Sequence, residues 1–188
     1  MLTFAQKYSK NVYSQNGEDG IIEELINRIQ PTILTAVEFG APNWTWCSNT
    51  AYLADKGWLV KMYDINPEDP RIEKKEITPQ NVNEIGSPTV LSMDCDGPDY
   101  YIWKAYNGSP DIVVIEINSS YQPNVYIVPG KSGASYMAMV MLGISKGYEL
   151  ICHTGNLIFV KKYLMDKFPE IIGNPIKDHR LYFNRSWL

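Results

Sequence analysis

The sequence predicts an α/β fold: a mostly parallel sheet with helices on both faces and a C-terminal antiparallel hairpin strand. Three observations predict it. Short apolar runs alternate with helical patterns over most of the 188 residues, the order that builds a parallel sheet through crossover connections. The run Asp111 to Ile117 (DIVVIEI) is β-branched and almost uninterrupted, as expected of a strand buried on both faces. Two strand-like runs near the end, Tyr148 to Cys152 and Leu157 to Lys162, are joined by His153-Thr154-Gly155-Asn156, a link long enough only for a hairpin.

The elements follow in order. Glu18 to Ile29 puts Ile21, Ile22, Leu25, Ile26 and Ile29 on one helical face, with Ser14 or Asn16 as its cap and Pro31 as its stop. Ile33 to Phe39 is a short buried strand ending at Gly40. A loop with Pro42, Trp44 and Trp46 leads to a helix from about Thr50 to Lys56, capped by Ser48 or Asn49 in front and Gly57 behind. Trp58 to Ile65 is the second strand. Pro67 to Lys75 is charged and proline-punctuated, an expected exposed loop, with a marginal strand at Glu76 to Thr78. Thr78-Pro79 opens a short helix to about Ile85. Thr89 to Met93 is the third clear strand, Pro98 to Tyr106 a helix, and Ala134 to Lys146 another, stopped by Gly147. One domain is expected, with a core over about 13–162 and a tail over 163–188.

Composition narrows the function classes. The chain carries 17 basic and 21 acidic residues and is 45% hydrophobic. It is large enough for a continuous core without disulfides or metal staples. Mild acidity argues against nucleic acid as a partner. No apolar run approaches a membrane span, and the opening residues lack a secretory pattern, so no membrane contact and a cytoplasmic location are expected. Cys47, Cys95 and Cys152 form no C-x-x-C pair and are expected to be free thiols. Aromatics are plentiful, with 13 Tyr, 5 Trp and 5 Phe.

In sheets of this type ligands bind beyond the carboxyl ends of the strands, where strand order reverses. The residues just after each strand are therefore the candidates: Glu38, Gly40 and Ala41, then Asp64, then Asp94 and Asp96, then Glu116 and Asn118, and finally His153. An acidic residue closing the second strand, 24 residues after Gly40, is placed to hydrogen-bond a ribose diol. A dinucleotide also requires G-x-G-x-x-G. The turn here reads Gly40-Ala41-Pro42-Asn43, which disfavours a nicotinamide cofactor.

Several strings then match a known pattern in order. Tyr13-Ser14-Gln15-Asn16-Gly17-Glu18-Asp19-Gly20 resembles the S-Q-x-G-E-D-G opening of FkbM-like, S-adenosylmethionine-dependent methyltransferases. Val37-Glu38-Phe39-Gly40-Ala41 is similar to that family's first cofactor motif, and Ser48-Asn49-Thr50 to its S-N-T helix start. Leu91 to Tyr100 (LSMDCDGPDY) resembles its L-S-I-D-I-D-G-N-D-Y segment, Val114 to Ser119 its V-I-E-Y-N-S strand end, and Gly133-Ala134-Ser135 its G-A-S helix start. The resemblance spans residues 13–162. The chain departs from it at Asn43-Trp44, where the family carries Asp-Gly, and at Asp64, where Glu is commoner.

The resemblance implies a Rossmann-like class I methyltransferase fold and O-methylation of a hydroxyl on a sugar or small metabolite, with a small-molecule or glycan acceptor as partner. S-adenosylmethionine would be held by Glu38, Gly40 and Ala41 at its amino-acid end, by Asp64 at the ribose, and by Asp94. Ser48, Asn49 and Thr50, at a helix start, would either hold its carboxylate or simply cap the helix. Asp94, Glu116 and Asn118 would form an oxygen ligand set for Mg²⁺ or another divalent cation. In the absence of metal, Asp96 or Glu116 would act as general base. His153 is a further candidate base, or merely a turn residue. Trp44, Trp46, Trp103, Tyr121, Tyr126 and Trp187 would either wall the acceptor site or cover the sheet. His179, with Lys177, Arg180 and Arg185, is expected on a solvated face. The competing reading is a non-catalytic binding or assembly module of the same fold, motivated by Asn43-Trp44, with a homo-oligomer or partner chain supplying a lid.

Overall fold

Two strands are buried along almost their whole length: Val90–Met93 (β4) and Ile112–Glu116 (β5). Helices cover both faces, so successive side chains of β5 divide between two cores. Val113 and Ile115 pack with Phe39, Leu91, Trp103 and Phe159, whereas Ile112 and Val114 pack with Ile21, Leu25, Ile158 and Phe168. This is the period of two expected of a pleated strand, and it explains the unbroken apolar run in the sequence.

The computed structural model describes residues 3–128 and 132–171. Around β4 and β5 the sheet is completed by Thr35–Phe39 (β1), Leu59–Asp64 (β2), Glu73–Lys74 (β3), Tyr148–His153 (β6) and Asn156–Lys161 (β7). The spatial order is β3-β2-β1-β4-β5-β7-β6. β7 runs antiparallel to both its neighbours, and the remaining neighbouring pairs are parallel. The fold is thus α/β and Rossmann-like, with the expected C-terminal hairpin strand. Strand order reverses between β1 and β4, where a ligand crevice is expected.

The helices are Phe4–Tyr8 (α1), Glu18–Ile29 (α2), Ala51–Asp55 (α3), Asp99–Ala105 (α4) and Tyr136–Ser145 (α5). α2 has the expected bounds. Its N-cap residue is Gly17 at φ 94°, which has no side chain to cap with; the expected Ser14 supplies the cap bond from three residues further back, its Oγ accepting from the Asp19 N–H at 3.1 Å. α1 has no counterpart among the sequence-based elements; a Thr3–Gln6 capping box closes its single turn. α5 starts two residues later than expected, since Ser135 caps it through the Ala138 N–H. The expected edge strand at 76–78 lies instead at β3, and the helix after Pro79 is a 3₁₀ turn, Val82–Ile85. The charged 67–75 stretch also buries Ile72, which packs with Ala51 and Met62. Among the described residues no helix is long and apolar enough to cross a membrane.

Candidate functional site

Strand register sets up one transverse row of residues at the carboxyl edge. The last pairs are Phe39 with Tyr63, Phe39 with Met93, and Met93 with Ile115, while Glu116 pairs with Asn156. One residue further along each parallel strand, the row reads Asp64, Gly40, Asp94, Glu116, Asn156. Two cavities lie over this row and share Asp94 and Asp96.

The first cavity, about 420 Å³, lies over Asp64, Gly40 and Asp94. Phe39, Ile65, Ile77 and Pro98 give it apolar walls, and Asp64 stands at its polar side. Asp64 Oδ1 accepts from the Asn66 N–H at 2.6 Å, which fixes the carboxylate at the strand end. Gly40 has φ 90°, and a Cβ there would stand 1.3 Å from the Asp94 carbonyl oxygen. Only glycine permits this crossing of two chains.

The cavity beside Gly40 is open. Trp44 packs against Ala51, Met62 and Ile72, with the Arg71 guanidinium 4.6 Å from its ring. Trp46 is 68% exposed. Neither lines the cavity, so the Asn43-Trp44 departure does not occlude it.

Of the expected cofactor residues, Gly40, Asp64 and Asp94 line this cavity, whereas Glu38, Ala41, Ser48, Asn49 and Thr50 are buried and do not line it. Glu38 is 2% exposed. Its carboxylate accepts from Ser48 Oγ at 2.6 Å, Thr50 Oγ1 at 2.6 Å, the Asn49 N–H at 2.7 Å and the Thr50 N–H at 3.1 Å. Burial raises its pKa above the usual carboxylate value, and these donors oppose the rise. The S-N-T segment does hold a carboxylate, as its position before a helix suggested, but that carboxylate belongs to the protein. Glu38 staples the end of β1 to the start of α3.

The second cavity, about 350 Å³, lies over Asp94, Glu116 and Asn156. Oxygens of Asp94, Asp96 and Glu116 lie within 4.8 Å of one another. Burial is the largest reason that Asp94 and Glu116 both titrate well above the ordinary range; after burial, Asp99 and Asp96 raise Asp94, and Asp94 and Asp99 raise Glu116. Two carboxylates this close in a partly dry site cannot both ionise readily, so the pair holds a proton between them.

The backbone bearing Asp96 is shaped by Asp99. This buried carboxylate accepts from the Cys95 N–H at 2.8 Å and the Gly97 N–H at 3.1 Å, leaving Asp96 between them at φ 54°. Asp99 thus organises the loop that leads into α4. The three carboxylates suit a hard cation by chemistry and spacing. The expected third ligand, Asn118, is engaged elsewhere: its Oδ1 accepts from the Ser120 N–H at 2.9 Å and from Ser120 Oγ, and its Nδ2 donates to the Ser132 carbonyl. Asp96 therefore takes its place in the oxygen cluster.

The other expectations fall away from the cleft. His153 is 2% exposed, its ring edge-on to Tyr136 at 6.2 Å, and burial pulls its pKa down to about 4. It lines neither cavity, because β7 is inserted between β5 and β6 and carries it away from the row. Trp103 is wholly buried against Tyr148 and Phe159. Tyr121 bonds Ser132 Oγ at 3.1 Å and Tyr126 meets Tyr100 Oη at 3.3 Å, both outside the cavities. Among the described residues, the named aromatics line neither cavity. Trp187, His179, Lys177, Arg180 and Arg185 lie outside the described residues. All three cysteines are free; Cys152 is buried, while Cys47 and Cys95 are only partly so.

Gln15, Asn16, Asn156 and Asp99 emerge only in three dimensions. Gln15, Asn16 and Asp99 stand inside the motif strings quoted above, yet nothing in spacing alone assigns them a role. No protein-family model matches the chain, and no curated protein matches it.

Proposed function

We propose that the protein is an S-adenosylmethionine-dependent methyltransferase that methylates a hydroxyl of a sugar or small metabolite. The observation that carries this reading is the pair of cavities meeting at Asp94 and Asp96 on the strand-order reversal. One has an acidic residue at the ribose position and apolar walls suited to a nucleoside. The other is polar and carries basic oxygens at the seam. The ordered motif resemblance, rather than the fold, selects this chemistry, since folds of this class host many activities.

Bound S-adenosylmethionine supplies an electrophilic methyl on a sulfonium, and S-adenosylhomocysteine leaves as the neutral thioether once the acceptor oxygen takes that carbon. Asp64 accepts hydrogen bonds from the ribose hydroxyls. The apolar walls from Phe39, Ile65 and Ile77 exclude water from the adenosine. At the seam, Glu116 or Asp96 takes the proton that the acceptor hydroxyl gives up, the Asp94–Glu116 pair retaining one basic oxygen while it holds one proton. Most of the rate comes from holding acceptor oxygen and methyl carbon in line. Were a divalent cation to take part, Asp94, Asp96 and Glu116 would hold it, and it would supply a lowered pKa for the acceptor hydroxyl.

A nicotinamide cofactor fits less well. The Asn49 and Thr50 N–H groups at the start of α3 are directed to Glu38, and so are not available to a pyrophosphate. A thermal-shift comparison separates the two readings. S-adenosylmethionine and S-adenosylhomocysteine are expected to raise Tm, and NADH and NADPH to leave it unchanged. Stabilisation by the nicotinamides alone contradicts the proposal.

A further inference from the structure

The string Ser14-Gln15-Asn16-Gly17-Glu18-Asp19-Gly20 has no part in the steps above, yet its side chains brace it heavily. Asp19 Oδ2 accepts from the Val12, Tyr13 and Ser14 N–H groups, each at 2.8 Å, and from Ser14 Oγ at 2.7 Å. Asn11 Nδ2 donates to the Gln15 carbonyl at 2.8 Å, and Asn11 Oδ1 accepts from the Gly17 N–H. Glu18 accepts from the Asn16 N–H at 2.8 Å through one oxygen and from Thr154 Oγ1 at 2.6 Å through the other. Asp19 and Glu18 are both buried. Gly20 fits where a Cβ would lie 2.3 Å from the Tyr8 carbonyl oxygen.

The product of this bracing is local. Gln15 and Asn16 line the 350 Å³ cavity, and Thr154 ties the loop to Gly155 and Asn156, which line it as well. Two buried carboxylates thus hold one loop and one hairpin turn in fixed relation around a cavity, the preorganisation that recognition requires.

The cavity's chemistry narrows what is recognised. Its described side chains include the amides of Asn16 and Asn156, which both donate and accept, and that of Gln15, whose Nε2 donates to Cys47 Sγ at 2.6 Å, beside a carboxylate cluster that stays net negative with one proton held. No aromatic ring and no Lys or Arg is among the described residues lining it. Such a lining matches a molecule with many hydroxyls, offers no flat apolar slot for a planar ring, and repels phosphate or carboxylate.

We infer that the 14–17 loop is the acceptor-recognition edge of this protein, with Gln15 and Asn16 as specificity-determining residues for a saturated, polyhydroxylated acceptor lacking an anionic group. Glu18 and Asp19 are positioning residues that act through that loop. The inference rests on the methyltransferase reading.

The test uses the full chain with methyl-labelled S-adenosylmethionine and three acceptor sets: neutral methyl glycosides and amino sugars, sugar phosphates and uronic acids, and catechols. Label is expected in the first set. For the best acceptor, Asn16→Ala is expected to raise KM about 3- to 10-fold, as loss of one or two neutral hydrogen bonds predicts. Its kcat, its affinity for S-adenosylmethionine and its Tm are expected to stay near those of the parent; Gln15→Ala is the second variant. Preferred labelling of the phosphates, uronic acids or catechols overturns the inference, as does no labelling of any neutral sugar by protein that binds S-adenosylmethionine. An Asn16→Ala effect confined to Tm or cofactor affinity also overturns it. Failure to bind S-adenosylmethionine at all sinks the underlying reading instead.

Discussion

Gly40 and Asp94 meet through their main chains at the strand-order reversal, so closely that a Cβ on residue 40 would lie 1.3 Å from the Asp94 carbonyl oxygen. The contact lies where the two cavities meet, because Gly40 and Asp94 line the first and Asp94 lines both. Gly40→Ala must therefore move β1 or β4, and it must also place a side chain at φ 90°. The expected loss is about 2–4 kcal/mol of stability, read by urea denaturation, with loss of S-adenosylmethionine binding in whatever protein folds.

Asp94 and Glu116 make stability fall as pH rises. Their folded-state pKa values lie above the unfolded ones, so the folded state binds more protons. The contribution is fully present below the ordinary carboxylate range and is lost as pH climbs through the raised folded values. Tm is accordingly expected to decline between about pH 5 and pH 9, the range above the unfolded carboxylate pKa. Glu116→Gln should flatten that decline and add about 1–2 kcal/mol at pH 8, a typical size for relief of one unfavourable buried charge. A parallel pH profile for parent and variant would contradict the account.

A divalent cation, if it binds the cluster, acts in the same direction. Millimolar Mg²⁺ or Mn²⁺ should raise Tm more at pH 8 than at pH 5, since ionised carboxylates are the ligands, and Asp96→Asn should remove most of that gain. An equal gain at both pH values, or one untouched by Asp96→Asn, places the cation elsewhere.

Glu38 and Asp64 should show opposite phenotypes although both were expected to hold the cofactor. Glu38→Ala leaves the buried donors of Ser48, Asn49 and Thr50 without their acceptor, at an expected cost of about 3–5 kcal/mol. Asp64→Ala should leave stability within about 1 kcal/mol and weaken S-adenosylhomocysteine about tenfold or more, as loss of a bidentate ribose contact implies. Denaturation and calorimetry on both variants provide the check.

These contrasts also mark how far the sequence carries. β5, α2 and the terminal hairpin were legible because each has one dominant signal: a β-branched run, a helical apolar face, and a short turn. The edge row of Asp64, Gly40, Asp94 and Glu116 was legible as well, because parallel strands bring their ends to one side. What could not be read was spatial order. Nothing local says that β7 inserts between β5 and β6, and this insertion removes His153 from the cleft. Nor does local pattern reveal that Glu38 and the S-N-T segment satisfy each other, since a helix start that binds a ligand carboxylate has the same sequence as one that binds the protein's own. Trp103 was left between walling a site and covering the sheet for a similar reason: its burial is decided by Tyr148 and Phe159, which are distant in the chain.

The proposed function stands or falls with S-adenosylmethionine binding in the cavity over Asp64, Gly40 and Asp94. The most direct measurement is a crystal structure of the protein grown or soaked with S-adenosylhomocysteine at saturating concentration. Ligand density is expected with ribose hydroxyls on the Asp64 carboxylate and the thioether sulfur directed toward Asp94 and the second cavity. An empty cavity at saturation, or ligand bound away from Asp64, would contradict it.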